Sequence, residues 1–132
     1  MNPIVLVADE DVNFQIIADT LLTLRDFRVR RAGDAAAAER ILRNEPVAVL
    51  VVDLGLPGMD RFDLLHKLSD RRGSLPLPHR PRILVLTTRA EIEVERFALR
   101  LGGHAVLHKP LAPGQFIHTV EQLIGRATPQ AA

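Results

Sequence analysis

The chain contains no cysteine, no tryptophan and no tyrosine. Without cysteine it can form no disulfide, no thiolate nucleophile and no Cys-ligated zinc site. Without Trp or Tyr interleaved among its arginines, it lacks the stacking platforms on which single-stranded nucleic acids are held. Net charge is only +1, so nothing in the composition calls for a nucleic acid or an anionic membrane as partner. No apolar run approaches the roughly 18 residues of a membrane span, and the chain does not open on a basic segment leading into an apolar signal core. Lysine is nearly absent as well. Of 17 Lys and Arg, only Lys67 and Lys109 are lysine, so a lysine at a chemically suggestive point carries weight. The chain has 132 residues, 47% of them hydrophobic, enough for one compact domain. The expectation is a cytoplasmic protein.

Strand and helix patterns alternate along the sequence. The apolar run Ile4-Val5-Leu6-Val7-Ala8 reads as a strand, followed by a helix with Phe14, Ile17, Ala18, Leu21 and Leu22 at 3.6-residue spacing. Asp11 or Asn13 can cap that helix. Phe27-Arg28-Val29-Arg30 alternates apolar and basic residues, as in a strand near a sheet edge. Asp34 caps a helix from Ala35 to Asn44 that turns Ala38, Ile41 and Leu42 inward. The run to Val52 is apolar almost throughout, as in a central parallel strand covered on both faces.

A loop over 54–60 leads to a third helix carrying Phe62, Leu64, Leu65 and Leu68, which stops near Arg72-Gly73. Residues 73–82, with Pro76, Pro78 and Pro81, form an irregular connection. Ile83-Leu84-Val85-Leu86 is the fourth strand. A helix from Ala90 to Leu101 follows, with Ile92, Phe97, Ala98 and Leu101 inward. After Ala105-Val106-Leu107, a last helix starts at Pro113 and carries Phe116, Val120, Leu123 and Ile124. Residues 1–126 therefore make one domain, and 127–132 a disordered tail or truncated linker.

Five strands alternating with five helices predict an α/β fold, a doubly wound parallel sheet. The right-handed crossover rule leaves few ways to connect it, and a strand order of 2-1-3-4-5 puts strands one and three side by side at the switch-point crevice. Ligands in such sheets bind outside the C-terminal strand ends. The first four-part pattern worth noting is what sits there: Asp9-Glu10-Asp11, Asp53, Thr87-Thr88 and Lys109-Pro110. Asp9, Glu10 and Asp53 are expected to face one another, with Thr87 and Lys109 alongside. Crowded carboxylates raise each other's pKa unless a cation joins them, and Mg²⁺ suits oxygen ligands. Asp53 is then placed to attack phosphorus. Lys109 supplies a point charge to the transferred oxygens and Thr87 a hydroxyl. Asp11 reads as a helix cap or a further metal ligand. His104 and His108, beside the lysine turn, read as solvated loop residues in preference to metal ligands or pH sensors. The loop residues Arg71, Arg72, Arg80 and Arg82 read as solvated in preference to a nucleic-acid contact.

The segments Val7-Ala8-Asp9-Glu10-Asp11, Val52 to Asp60, Leu86-Thr87-Thr88 and His108-Lys109-Pro110-Leu111 together resemble the receiver domain of two-component response regulators, a (βα)5 flavodoxin-like fold. The resemblance runs from Ile4 to about Gly125. It implies phosphoryl transfer from a sensor histidine kinase or histidine phosphotransfer protein onto Asp53. Asp9, Glu10, Asp53 and the carbonyl of Gly55 would be Mg²⁺ ligands. Thr87 and Lys109 would sense the new charge, reshaping a face made by helix four, strand five and helix five for an output protein or domain. Self-catalysed transfer and hydrolysis are the only chemistry implied.

Some positions depart from the family pattern. Glu10 stands where the direct metal ligand is usually Asp, Arg61 where Gly is usual, and Val106 where an aromatic commonly reports phosphorylation. Arg89 and Gly55 occupy the positions that tune dephosphorylation, and neither is a good general base, which suggests a long-lived phosphoryl state. The competing readings are a pseudo-receiver, the same fold acting as a phosphorylation-independent interaction module, and a phosphohydrolase with Asp53 as nucleophile. The second lacks the acid/base Asp expected two residues on, where Gly55 stands.

Overall fold

The computed structural model describes residues 2–58, 60, 62–69 (for Ser69 the backbone alone), 77, 80–88 and 91–126. In chain order the elements are β1 (Ile4–Ala8), α1 (Val12–Thr23), β2 (Arg28–Ala32), α2 (Ala35–Asn44), β3 (Val47–Asp53), α3 (Asp63–Ser69), β4 (Arg82–Thr87), α4 (Ile92–Arg100), β5 (Ala105–His108) and α5 (Pro113–Leu123). The strands form one sheet in the order β2-β1-β3-β4-β5, and every neighbouring pair is parallel. This is the doubly wound order expected from the strand and helix alternation.

The strand sequences explain where each strand lies. All five residues of β1 are buried, and β3 and β4 are nearly so. Strands of this kind need cover on both faces. Alternate residues of β1 feed opposite cores, because successive side chains point to opposite sides. Ile4, Leu6 and Ala8 join Ala38 and Leu42 of α2, Leu64 and Leu65 of α3, and Val94 and Ala98 of α4. Val5 and Val7 join Ala18 and Leu22 of α1 and Phe116, Ile117 and Val120 of α5. Burying Leu6, Leu22, Leu42 and Leu50 completely contributes about 2 kcal/mol each by area. The arginine-rich β2 takes the edge, as its alternation predicted.

Local signals set the helix starts. Asp11 caps α1 by accepting from the backbone N–H groups of Asn13 (2.9 Å) and Phe14 (3.3 Å), so Asp11 is the cap and Asn13 is not. Asp34 caps α2 through the Ala37 N–H at 2.8 Å. The free N–H of Ala35 is taken by the carbonyl of Pro57 at 2.9 Å, which ties the loop after β3 to the start of α2. Gly58 in that loop has φ 89°, a conformation in which a Cβ would be strained.

Three residues assigned inward by periodicity are exposed: Ile17 (56%), Ile92 (61%) and Phe97 (41%). Their helices turn other residues to the sheet, Gln15 in α1 and Val94 in α4. Phe97 instead packs edge-on against Phe62, ring centroids 4.6 Å apart. The fourth helix is shorter than expected, starting at Ile92 and ending at Arg100. The expectations for Arg61, Arg71, Arg72, Arg89, most of the proline-rich connection and the tail at 127–132 lie outside the described residues. Among the described residues no helix is long and apolar enough to cross a membrane.

Candidate functional site

The C-terminal ends of β1, β3, β4 and β5 open onto one crevice, and three of the expected residues meet there. Asp9, one residue past β1, is buried at 3% exposure. Asp53 is the last residue of β3 and half-buried. Lys109 follows β5, held by its backbone N–H donating to the Thr87 carbonyl at 2.9 Å. The Lys109 Nζ lies 2.5 Å from Asp9 Oδ2 and 2.8 Å from Asp53 Oδ2. One ammonium therefore joins two carboxylates that are 44 residues apart in the chain, from Asp9 to Asp53.

The remaining carboxylate oxygens are also occupied. Asp9 Oδ1 accepts from the Asp11 N–H at 2.9 Å, and Asp53 Oδ1 from the Gly55 N–H at 2.6 Å. A Cβ on Gly55 would sit 3.0 Å from Asp53 Oδ1. The small residue there lets the backbone turn tightly under the carboxylate. Thr87 ends β4 and is buried, 3% exposed, paired in register with His108.

Electrostatics at the site are a contest between burial and ion pairing. Burial pushes the Asp9 carboxyl above its ordinary pKa of 3.8, more strongly than the Lys109 hydrogen bond and the Asp11 N–H pull it down. For Lys109 burial is again the largest single influence and acts to lower the pKa. The hydrogen bonds and charges of Asp53 and Asp9 together outweigh it, and the ammonium is held above its ordinary value of 10.5. The lysine is thus locked in its charged form.

Glu10 does not join this group. It is exposed, and among the described residues no three His, Cys, Asp or Glu gather closely enough to hold a metal ion. The donors that do converge, two carboxylates, are hard oxygen ligands of the kind Mg²⁺ takes while retaining several waters. Their chemistry fits such a cation. Asp11 is exposed and spent on the α1 cap.

Two residues of the site were not expected there from the sequence. Phe14 lies under the Lys109 ammonium, 4.5 Å from Nζ to ring centroid, a cation–π contact that steadies the side chain. Gln15 is buried, and its Nε2 donates to the Asp9 carbonyl at 2.5 Å and to the Ala32 carbonyl at 3.5 Å. It satisfies the Asp9 carbonyl at the strand end and adds to the Ala32 carbonyl, which already accepts the Asp9 N–H at 3.0 Å. Gln15, Ala18 and Leu22 share one helical face at i, i+3 and i+7, which is the pattern that exposes Gln15 as inward. Ile17 lines a groove of ≈ 440 Å³ between α1 and the start of α5, with Phe14, Lys109 and Pro110.

A profile described as "Response regulator receiver domain" matches residues 5–121. Among curated proteins, the transcriptional regulatory protein KdpE of Mycobacterium tuberculosis is 30% identical over 97% of this chain and 54% of its own length. The probable transcriptional regulatory protein TcrX of the same species is 28% identical over 92% of this chain and 50% of its own. The chain thus spans about half the length of these relatives. Among solved structures, the non-phosphorylated HemR receiver domain of Leptospira biflexa matches with TM-score 0.80 at 25% identity, covering 98% of this chain and 100% of that one. A Burkholderia pseudomallei response regulator, crystallised with a phosphorylated aspartic acid, calcium ion and citrate, matches with TM-score 0.76 at 28% identity. That match covers 89% of this chain and 65% of that one.

Proposed function

The chain belongs to the response regulator receiver domain family of two-component signalling, and from that premise we propose that Asp53 is its phosphoacceptor. The observation that carries this reading is the Asp9–Lys109–Asp53 triad at the carboxyl ends of the strands. The donor required is a sensor histidine kinase or a histidine phosphotransfer protein. An oxygen of Asp53 attacks phosphorus; the P–O bond forms as the P–N bond to the donor imidazole breaks, and that imidazole nitrogen keeps the electron pair and takes a solvent proton. Lys109, already 2.8 Å from Asp53, keeps a fixed positive charge beside the transferred group. Thr87 at the end of β4 offers a hydroxyl to the same oxygens.

Asp9, Asp53 and the Gly55 carbonyl are the groups that would hold Mg²⁺, with Glu10 as a further carboxylate at the rim. When bound, the ion would neutralise charge developing on the transferred oxygens. The output runs through the face of α4, β5 and α5, which presents exposed Arg96 and Arg100 to an output protein or domain. The module works in the cytoplasm, where histidine kinases deliver phosphoryl groups. Residues 1–126 are the functional unit.

The test is phosphorylation by a small-molecule phosphodonor, with and without Mg²⁺, read by intact mass on the wild type and Asp53→Asn. A single Mg²⁺-dependent phosphoryl adduct, absent from the variant, is expected. A folded wild type that takes no adduct, even from phosphorylated histidine donors, would overturn this reading in favour of a phosphorylation-independent interaction module.

A further inference from the structure

Lys109 carries its charge on a long flexible stem, and an ammonium can donate three hydrogen bonds. Asp9 and Asp53 accept two of them. A third contact of the head group is the Phe14 ring, whose centroid lies 4.5 Å from Nζ. That is inside the roughly 6 Å over which a ring face attracts a cation. The chain has five phenylalanines, no Trp and no Tyr, and Lys109 is one of two lysines. A scarce ring set against a scarce ammonium, at the crevice, asks for a reason beyond filling space.

The ring is held by the groups it serves. Phe14 is the third residue of α1. Its backbone N–H donates to Asp11 Oδ1 at 3.3 Å, and the Asp11 N–H donates to Asp9 Oδ1 at 2.9 Å. Asp9 in turn receives the Lys109 ammonium. The contacts thus close a loop from Asp9 through Asp11 and Phe14 to Lys109 and back. Phe116 of α5, itself buried, meets the ring edge-on, with centroids 6.1 Å apart and planes at 69°. The α1 backbone, α5 and the ammonium together leave the ring little freedom.

Of these three head-group contacts, the Phe14 ring is the one that offers no metal ligand. Asp9 and Asp53 are the carboxylates that would hold Mg²⁺, and sharing their oxygens with an ion weakens their grip on the ammonium. A ring face does not enter that competition. We propose that Phe14 is a positioning residue for phosphoryl transfer, its ring face keeping the Lys109 ammonium beside Asp53 while the carboxylates are shared with the metal. This role rests on Asp53 being the phosphoacceptor. An ammonium fixed in advance stabilises the transferred oxygens without reorganisation, whereas a wandering one must be reordered at every encounter. Leucine would fill much of the same space and offer no such face.

The experiment replaces Phe14 by leucine, by tyrosine and, site-specifically, by mono-, di- and trifluorophenylalanine, which keep the ring's shape while draining negative charge from its face. Phosphorylation by acetyl phosphate at saturating Mg²⁺ is timed by intact mass, and urea unfolding checks that each variant is folded. The rate is expected to fall stepwise with fluorination, to about fivefold below wild type in the trifluoro form and in Phe14→Leu, while Phe14→Tyr stays within about twofold. Metal-free urea unfolding of Phe14→Leu, Lys109→Met and the double variant gives a second readout. There the two substitutions are expected to be coupled about fivefold in the unfolding constant. Equal rates across the fluorinated series, or additive effects in urea, would overturn the role of Phe14 and leave that of Asp53 standing. A folded wild type that takes no phosphoryl group would overturn both.

Discussion

Lys109 holds together two carboxylates that would otherwise repel, and the consequence can be measured. Lys109→Met keeps the length of the side chain and its contact with Phe14 while removing the charge between Asp9 and Asp53. Breaking a largely buried pair leaves uncompensated charge, and the expected destabilisation at neutral pH is about 3 kcal/mol. Millimolar Mg²⁺ should recover part of that loss by binding the folded state alone. In the wild type the ammonium competes for the same oxygens, so the Mg²⁺ effect should be smaller. Urea unfolding of both proteins with and without Mg²⁺ decides the matter, and an equal Mg²⁺ increment in both would refute competition at a shared site. At this scale the sequence was informative about Asp9, Asp53 and Lys109, because the first two directly end readable apolar runs, Lys109 follows another by one residue, and parallel topology does the gathering. It said less about Glu10, which is exposed. Side chains alternate at a strand end, so with Asp9 turned inward its neighbour faces solvent, whatever its chemistry.

The elements show a second limit on what sequence reveals. Periodicity found α1 and α4 and turned Ala18, Leu22 and Ala98 inward as observed, but it misassigned Ile17, Ile92 and Phe97. In α1 apolar residues occur nearly all round, at Phe14, Ile16, Ile17, Leu21, Leu22 and Leu24, so no single stripe fixes the rotation. The observed rotation gives the Asp9 carbonyl its Gln15 amide donor, a tertiary contact, and leaves Ile17 outside. In α4 the face at Val94, Ala98 and Leu101 is the consistent one, while Phe97 finds Phe62 at the border. The start of β5 likewise depends on an unforeseen contact, between His104 Nδ1 and the Ile83 N–H. Protonation at Nδ1 abolishes that acceptor. Because the folded-state pKa of His104 lies below 6.5, the unfolded chain binds more protons in the window just below that value. Stability from this contact is complete above 6.5 and is lost as pH falls through the folded-state pKa. His104→Asn keeps an acceptor in the same place but does not titrate. Thermal melts from pH 7.5 down to 5 (~, spanning the histidine range) should fall more steeply for the wild type than for the variant. Parallel curves would remove His104 from any role in acid sensitivity.

Across the whole molecule, stability is unevenly spread, and that unevenness suits a switch. The inner strands β1, β3 and β4 are buried on both faces. The end of α5 is secured to the turn after α1, where Arg126 donates Nη1 to the Arg25 carbonyl at 2.7 Å and lies over the Phe27 ring at 4.3 Å. Four residues of α5 are buried, including Phe116 and Val120. α4 buries only Val94 and Ala98, exposes Ile92, Phe97 and Leu99, and its N-cap Glu91 makes no side-chain capping bond to the helix. An element with little burial opens at low free energy, and segments that move in regulation come from that end of the range. Charge added at Asp53 would act on β4 directly, since Asp53 pairs with Leu86 and the Leu54 N–H donates to the Leu86 carbonyl at 3.0 Å. Thr87, the next residue, also carries the carbonyl that holds Lys109. The nearest weakly held helix in the chain after that strand is α4. Amide hydrogen exchange should therefore be faster in α4 than in α5 before phosphorylation. Addition of a phosphodonor with Mg²⁺ should change exchange in α4 and around Thr87, leaving α2 unaltered. Equal protection of α4 and α5, or an α4 indifferent to the phosphoryl group, would place the switching element elsewhere in the fold.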